Sequence, residues 1–566
     1  MIKLGAALWR MRTGATLLCL LASGAAAALA PAGARASTTQ VSVMEDDPLV
    51  LSSPEATLSQ MRDLGVSVVR LWITWADVAP APDARRAPSG FDASNPAAYP
   101  PASWAPYDQA VIAASQLGIR LDLDLTPRVP RWAEGPGGGA DYAESDWRPS
   151  ARDFGQFVHA VGERYSGSYI PPGAGTPLPR VSFWSVWNEP NYGPTLAPQG
   201  LPGHPGVLSA PMLYRNLLNS AWSALQQTGH GSDTILFGET AARGVGFNVG
   251  LFNGTEPLPF IRALYCLDGR YRPLRGRLAA LEGCPTSAVA SRAFPERNPA
   301  LFDASGFADH PYSYGSIRDE LGPVARYPPN VEPDNQPGFA SLADLGNLER
   351  TLDRCVGAYG SRVRYRIWNT EYGYITSPPK PATDRSTRPV TYYASQQTAA
   401  YFLNWAEYLS YENPRVASFA QYLLQDATLP NRGSDWGAFA IGLIDYYGHQ
   451  KLTYAAWRMP LFMPVTSARR GVPLTVWGEV RPAAYALADL GAGGVAPVQI
   501  QFAPGARGRF TTVAALPLVN RQGYFITAVR LPASGRVRLA WSYPQDDPLL
   551  PSGAQIYSRT VQVSIR

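Results

Sequence analysis

The chain has 566 residues, 46% hydrophobic and 16% charged, which supplies apolar material for a large core and for more than one domain. That composition excludes a disordered chain, and a helical membrane bundle fits it poorly, because after residue 36 no apolar run nears the ~18 residues of a span. The net charge of +5 does not mark a nucleic-acid binder: 46 of the 49 basic residues are scattered arginines, beside only Lys3, Lys380 and Lys451.

Lys3, Arg10 and Arg12 precede an apolar stretch from Ala15 to Ala30, and Ala34-Arg35-Ala36 offers small residues at a cleavage site. Residues 1–36 are expected to be a signal peptide, with a mature chain starting at Ser37 that is secreted or held at the cell surface. From there short apolar runs alternate with helical patterns, as in a parallel sheet wound with helices. Strands are expected at Val41–Glu45, Val66–Trp72, Ile119–Thr126, Val181–Trp187, Thr234–Gly238, Phe307–His310, Tyr365–Asn369 and Val416–Leu423. Helical patterns fall between them, at Pro54–Leu64, Tyr107–Leu117, Arg152–Tyr165, Pro211–Gln227, Leu342–Tyr359 and Tyr392–Leu409. Gly65 and Gly118 stand where helices should stop. Eight such units predict a (β/α)8 TIM barrel over residues 37–458.

After Arg458 the pattern turns to strands alone, at Leu474–Val480, Val498–Phe502, Phe510–Ala515, Gly523–Arg530, Val537–Ser542 and Arg559–Ile565. Residues 459–566 are therefore expected to form a small all-β sandwich of immunoglobulin or fibronectin type, without helices, acting as a brace for the barrel. Of the cysteines beyond the signal, Cys266 and Cys284 would close a short disulfide loop, and Cys355 falls in a helical pattern as a buried thiol. Cysteine spacing and histidine content suggest no metal site, and no cofactor is expected.

In such a barrel, chemistry sits at the C-terminal ends of strands. The second strand ends in Arg70-Leu71-Trp72, followed by Trp75, and the third leads to Arg131-Trp132. The fourth ends in Trp187-Asn188-Glu189-Pro190, the fifth in Gly238-Glu239-Thr240 and the sixth in His310-Pro311-Tyr312. The seventh ends in Asn369-Thr370-Glu371-Tyr372-Gly373, and the eighth leads to Trp436. Asp122 and Asp124 on the third strand are read as one inward and one outward residue. Aromatic residues make up 11% of the chain, and rings of this kind can stack on the C–H faces of sugars.

This set resembles clan A of the glycoside hydrolases, nearest to families 5 and 39, through Asn188-Glu189-Pro190 and the Thr370-Glu371-Tyr372-Gly373 segment three strands later. The resemblance covers about residues 41–458. It implies a retaining glycosidase acting on a β-linked oligo- or polysaccharide, with Glu189 as acid/base and Glu371 as nucleophile. It further implies that Asn188 holds the sugar 2-hydroxyl, that Tyr312 bonds the nucleophile, and that Arg70 and His310 complete a polar floor. Trp132, Trp436 and Glu239 are further candidates for contact with substrate. Physical chemistry asks for the same pair: one carboxyl protonated to assist the leaving oxygen, one ionised and steadied by a cation such as Arg70.

A transglycosylase using the same residues, or a barrel kept only for binding carbohydrate at a surface, are the alternatives. The second of these usually lacks one carboxylate, whereas both are present here. The partner expected is a carbohydrate, with no nucleic acid and no membrane span after signal cleavage, and the chain is expected to be a monomer. Long segments at Gly135–Gly139 and from Gly246 to about Phe307 are expected to lie on the catalytic face and reshape the cleft.

Overall fold

A computed structural model describes residues 36–137, 146–246, 249–314, 327–333, 336–376, 394–426 and 440–566. Residues 1–35 of the expected signal peptide, Trp436 and Gly138-Gly139 lie outside the described residues.

Eight parallel strands close into a barrel in sequence order: β1 (Val41–Glu45), β2 (Val68–Thr74), β3 (Arg120–Thr126), β4 (Phe183–Val186), β5 (Thr234–Ala241), β6 (Gly306–His310), β7 (Arg366–Asn369) and β8 (Val416–Tyr422). Closure is made by β1 pairing with β8, Val43 opposite Ala420. Helices between the strands cover the outside, for example Ala151–Arg164 against Ala210–Gln227. The first begins where Ser150 accepts the Asp153 N–H, and the helix Pro54–Asp63 runs out at Gly65, whose φ of +68° a side chain would resist.

Alternation along β3 explains the barrel's two surfaces. Leu121, Leu123 and Leu125 join the apolar core, while Asp122 reaches Ser185 of β4 at 3.0 Å and Asp124 reaches Arg70 of β2 at 2.6 Å. Both aspartates are fully buried inside the barrel, which corrects the one-in, one-out expectation: residues two apart on a strand share a face.

The long segment after β5 is also corrected. Only its first part lies at the mouth, where Thr255 N–H donates to Asn191 O at 2.7 Å and Gln199 N–H to Leu251 O at 2.9 Å. After the helix Pro257–Leu264 the chain passes down the outer wall between the helices Ala210–Gln227 and Leu345–Gly357. There Arg215 donates to the carbonyls of Leu264, Glu282 and Gly283, Asn219 pairs with Asn298, and Tyr271 with Thr351. The Cys266–Cys284 disulfide closes a loop within this wall, and Cys355 is a buried free thiol.

Beyond the barrel, β9 (Leu461–Phe462), β10 (Ser467–Ala468), β11 (Leu474–Glu479), β12 (Val498–Pro504), β13 (Thr511–Leu516), β14 (Tyr524–Val529), β15 (Gly535–Ser542), β16 (Gln555–Tyr557) and β17 (Val561–Ile565) form two sheets. Their orders are β10-β17-β15-β12-β13, with β16 on β15, and β14-β11-β9. The unit is not free of helix: Pro482–Leu490 is helical, and it contacts the barrel through Tyr485, whose hydroxyl donates to Val66 O. This corrects the strand-only expectation, since Pro482, Tyr485 and Ala486 pack as one buried stripe at helical spacing that a strand would have split.

The unit packs on the barrel face opposite the C-terminal strand ends. Gly65, just before β2, abuts the Arg481 backbone so closely that an added Cβ would sit 2.2 Å from its carbonyl carbon. Asn520 donates to Thr38 O at 2.9 Å, and Arg62 pairs with Asp489 at 2.6 Å. Arg481 is fully buried, stacks over Trp457 at 3.7 Å and pairs with Glu407 of the helix Gln396–Glu412. Among the described residues no helix is long and apolar enough to cross a membrane.

Candidate active site

Arg70 is the centre of the polar floor. It projects from β2 with no exposed surface, and its guanidinium reaches side chains from five other strands or strand ends. Nη1 donates to Glu45 of β1 and, at 2.8 Å, to Glu371 after β7. Nη2 donates to Asp124 of β3 at 2.6 Å and to Asn188 after β4 at 2.8 Å, and stands 3.3 Å from Glu239 of β5 and, through it, close to His310 of β6. A buried charge with so many acidic partners is paired rather than stranded.

Glu371 and Glu189 face each other across this floor. Glu371 is nearly buried, with Arg70 on Oε1 and the Tyr312 hydroxyl donating to Oε2 at 3.2 Å. Glu189 keeps about a fifth of its side chain exposed, and its Oε1 lies 3.0 Å from His310 Nδ1. His310 Nδ1 is also 3.5 Å from Glu371 Oε2, so one ring nitrogen touches both acids. Ligating atoms of Glu189, His310 and Glu371 all lie within 4.8 Å of one another. By distance alone they could face a single cation, but the fixed charge of Arg70 on Glu371 opposes one, and no metal is assigned.

The backbone is bent to present these groups. Trp187, Glu189 and Glu239 have φ of +71°, +44° and +47°, a region that costs a residue with a side chain about 1–3 kcal/mol and gathers at functional sites. Glu189 N–H donates to Glu239 O at 2.9 Å, tying two of the three together. Glu239 itself sits in a break of the β5–β6 register between Phe237 and Thr240, a bulge that turns its side chain inward. Gly238 makes the bulge fit: its φ is +112°, and an added Cβ would lie 2.5 Å from Ala308 O.

Placement of the remaining candidates is mixed. Arg70, Asn188, His310 and Tyr312 are all brought to the two glutamates. Glu239 has no exposed surface and cannot touch a substrate in this conformation, because His310 stands in front of it; its expected substrate contact is corrected to a place behind the site. Trp132 packs edge-on against Trp75 and Phe91 and donates to Pro80 O, so its ring is engaged in loop packing instead of being free to stack on a sugar. Trp75 and Trp187 are fully buried, while Trp72 keeps part of its surface near Arg70. No site role is legible in the sequence for Glu45, Asp124 or Thr370, whose hydroxyl donates to Glu239 at 2.7 Å. A buried arginine on β2 was the available signal, since it demands acids from adjacent strands, and Glu45 is in register with Arg70.

Burial and charge set the ionisation of this layer. Burial would push the His310 imidazole down, but the charge of Glu371 and hydrogen bonds to Glu189 and Glu239 outweigh it and hold the ring well above its ordinary value. Burial likewise works to raise Glu239, yet Arg70 and His310 bring it down to about 2. Asp309 has weaker company: burial, only partly offset by the Thr240 hydrogen bond, raises it to about 8, and its Oδ2 has no partner among the described residues.

Asp309 therefore carries a stability prediction. An acid that holds its proton to about pH 8 when folded, and loses it near pH 4 when unfolded, binds more protons in the native state between those values, so stability falls as pH rises through that window. Asp309→Asn keeps the shape and cannot ionise. Its melting temperature relative to the parent is expected to climb from about pH 4 to about pH 8 and then level off. A difference that stays flat over that range would refute the assignment.

No family model and no curated protein matches the chain. Among solved structures it is similar to a family 39 glycoside hydrolase from the gut symbiont Bacteroides cellulosilyticus WH2, 13% identical over 87% of this chain and 80% of that one, with a TM-score of 0.42. It is also similar to a glucosidase from Croceicoccus marinus, 12% identical over 89% and 95% with a TM-score of 0.43. A family 1 β-glucosidase from Thermotoga maritima is 15% identical over 70% and 81%, with a TM-score of 0.39.

Proposed function

We propose that the chain is a secreted retaining glycoside hydrolase of clan A that cleaves β-linked oligo- or polysaccharides by double displacement. The observation that carries this is the pair Glu189 and Glu371, at the C-terminal mouth of a parallel barrel, with a carboxylate oxygen of each within 4.8 Å of one of the other, and with Arg70 on Glu371 alone. Retaining glycosidases hold their two carboxyls ~5–5.5 Å apart, too close for a water to attack from the far face.

Glu371, steadied by Arg70 and Tyr312, attacks the anomeric carbon, while Glu189 gives its proton to the departing oxygen. The glycosyl ester on Glu371 is then hydrolysed by a water that yields a proton to Glu189. Asn188, whose Oδ1 is occupied by Arg70, offers its amide N–H to the sugar 2-hydroxyl. Trp72, on the same face of β2 as Arg70, keeps surface for a sugar ring. The two-sheet unit at 459–566, on the opposite face, is read as an immunoglobulin- or fibronectin-like brace.

The test is the mature chain from Ser37 on a panel of aryl β-glycosides and β-linked polysaccharides, with the first-formed product followed by NMR. Cleavage with retained anomeric configuration is expected. An inverted product would overturn the mechanism, and no cleavage of any member would overturn the reading.

A further inference from the structure

Behind the two glutamates lies a relay that the reaction above does not use. Glu239 Oε2 accepts from His310 Nε2 at 2.9 Å, and the opposite nitrogen of that ring meets Glu189 Oε1 at 3.0 Å. Both Glu239 and His310 are fully buried. Glu239 is itself fixed by Thr370 at 2.7 Å and Arg70 at 3.3 Å, and its own carbonyl takes the Glu189 N–H. Side chain and backbone of one residue thus hold both ends of Glu189.

The consequence lies in where a proton can point. With Glu239 on Nε2, that nitrogen always carries hydrogen, and only Nδ1 can change. If Nδ1 is bare, a protonated Glu189 donates inward to it and the proton faces away from substrate. If Nδ1 carries hydrogen, it donates to Glu189 Oε1, and the acidic hydrogen must sit on Oε2, toward the mouth. We infer that Glu239 is a positioning residue for the proposed reaction: its carboxylate holds Nε2 of the His310 ring and, with Glu371 on the other side, keeps that ring doubly protonated, so that the ring aims the Glu189 proton at the leaving oxygen.

This rests on the glycosidase reading. The proton passes from Glu189 Oε2 to the oxygen as its bond to the anomeric carbon breaks, and returns to Glu189 from water in the second step. His310 and Glu239 keep their protonation throughout. The charged groups facing the ring are Glu189 after β4, Glu239 on β5 and Glu371 after β7, with Asp309 beside it on β6, Asp124 on β3 in Coulombic reach and Arg70 of β2 across Glu239. Glu239 is the one of these that lies on Nε2.

The experiment is Glu239→Gln, which keeps the shape and removes the charge, with Glu239→Asp as the conservative variant. Ring 15N shifts of His310, one of five histidines, report its protonation without any substrate. In Glu239→Gln the ring is expected to titrate about 1–3 pH units lower than in the parent, the shift an adjacent opposite charge produces. The high-pH limb of kcat/KM should move down with it. The loss should be at least about tenfold greater on an alkyl glycoside than on a dinitrophenyl glycoside, because only the former needs the proton. Glu239→Asp should recover part of both.

A folded Glu239→Gln whose ring titration and pH profile match the parent, with equal losses on both substrates, would overturn the inference and leave Glu239 a packing residue. Should that variant not fold, the parent decides: a doubly protonated His310 at pH 8 supports the inference, and a neutral ring at pH 7 overturns it. A parent that cleaves no glycoside would sink the glycosidase reading, while the ring titration would still decide the coupling of Glu239 to His310.

Discussion

With Glu371 replaced by alanine, turnover is expected to fall by about four orders of magnitude or more on every glycoside the parent cleaves, whatever its leaving group. The size of the effect follows from what is removed. Glu371 is held in place by Arg70 at 2.8 Å and by the Tyr312 hydroxyl at 3.2 Å, so its carboxylate is fixed where the anomeric carbon must lie. Without it no glycosyl ester forms, and a better leaving group cannot compensate. Azide occupying the space of the lost carboxylate would attack the same face that Glu371 attacks. The product from a β-glycoside is then expected to be the α-glycosyl azide, identified by its anomeric coupling in proton NMR. Turnover equal to the parent's, or a β-azide, would remove Glu371 from the role of nucleophile.

Local sequence made one part of this site legible and hid another. Glu189 and Glu371 could be found because each stands directly after a short apolar strand, where side-chain position is set by the strand itself. His310 and Tyr312 follow the same logic at β6. Glu239 was legible as a strand-end candidate, but its place behind His310 was not, because its inward turn depends on the bulge at Gly238, and a bulge shifts the facing of every residue after it without leaving a pattern of its own. Glu45 and Asp124 were hidden for a different reason. Each looks like an ordinary acid until the Arg70 guanidinium is placed between them.

The fold shows the same division. Eight strands read from apolar runs give the barrel, since an apolar run bounded by turn residues has few other uses. Boundaries moved where the backbone leaves the extended conformation: β4 ends at Val186, because Trp187 already has a positive φ. The path of the segment after β5 was not readable at all. It is set by Arg215, a helical residue some 50 to 70 positions away that gathers four carbonyls from the outer wall, and such long-range pairing has no local trace. Arg481 is the equivalent in the C-terminal unit, where its pairing with Glu407 and its stacking on Trp457 fasten the sheets to the barrel.

Glu189→Ala is expected to separate substrates that Glu371→Ala treats alike. An activated aryl glycoside needs no proton to release its phenolate, so the first step should survive, whereas an alkyl glycoside should lose about 10²–10⁴-fold, the contribution of a well-placed general acid. On the activated substrate a burst of phenolate should precede a slow steady state, because Glu371 is still present to form the ester and no base remains to activate water. The ester should then be trapped as a mass increment on the peptide that contains Glu371. Azide needs no base, so its addition should restore turnover and yield the β-glycosyl azide, two inversions giving net retention. This configuration is opposite to that expected from Glu371→Ala, so the two variants test the two roles independently. His310 sharpens the outcome: with Glu189 gone its Nδ1 loses the partner at 3.0 Å and keeps only Glu371 at 3.5 Å, so azide has room beside the ring, on the leaving-group side. An α-azide from Glu189→Ala together with a β-azide from Glu371→Ala would mean that the two glutamates have exchanged roles.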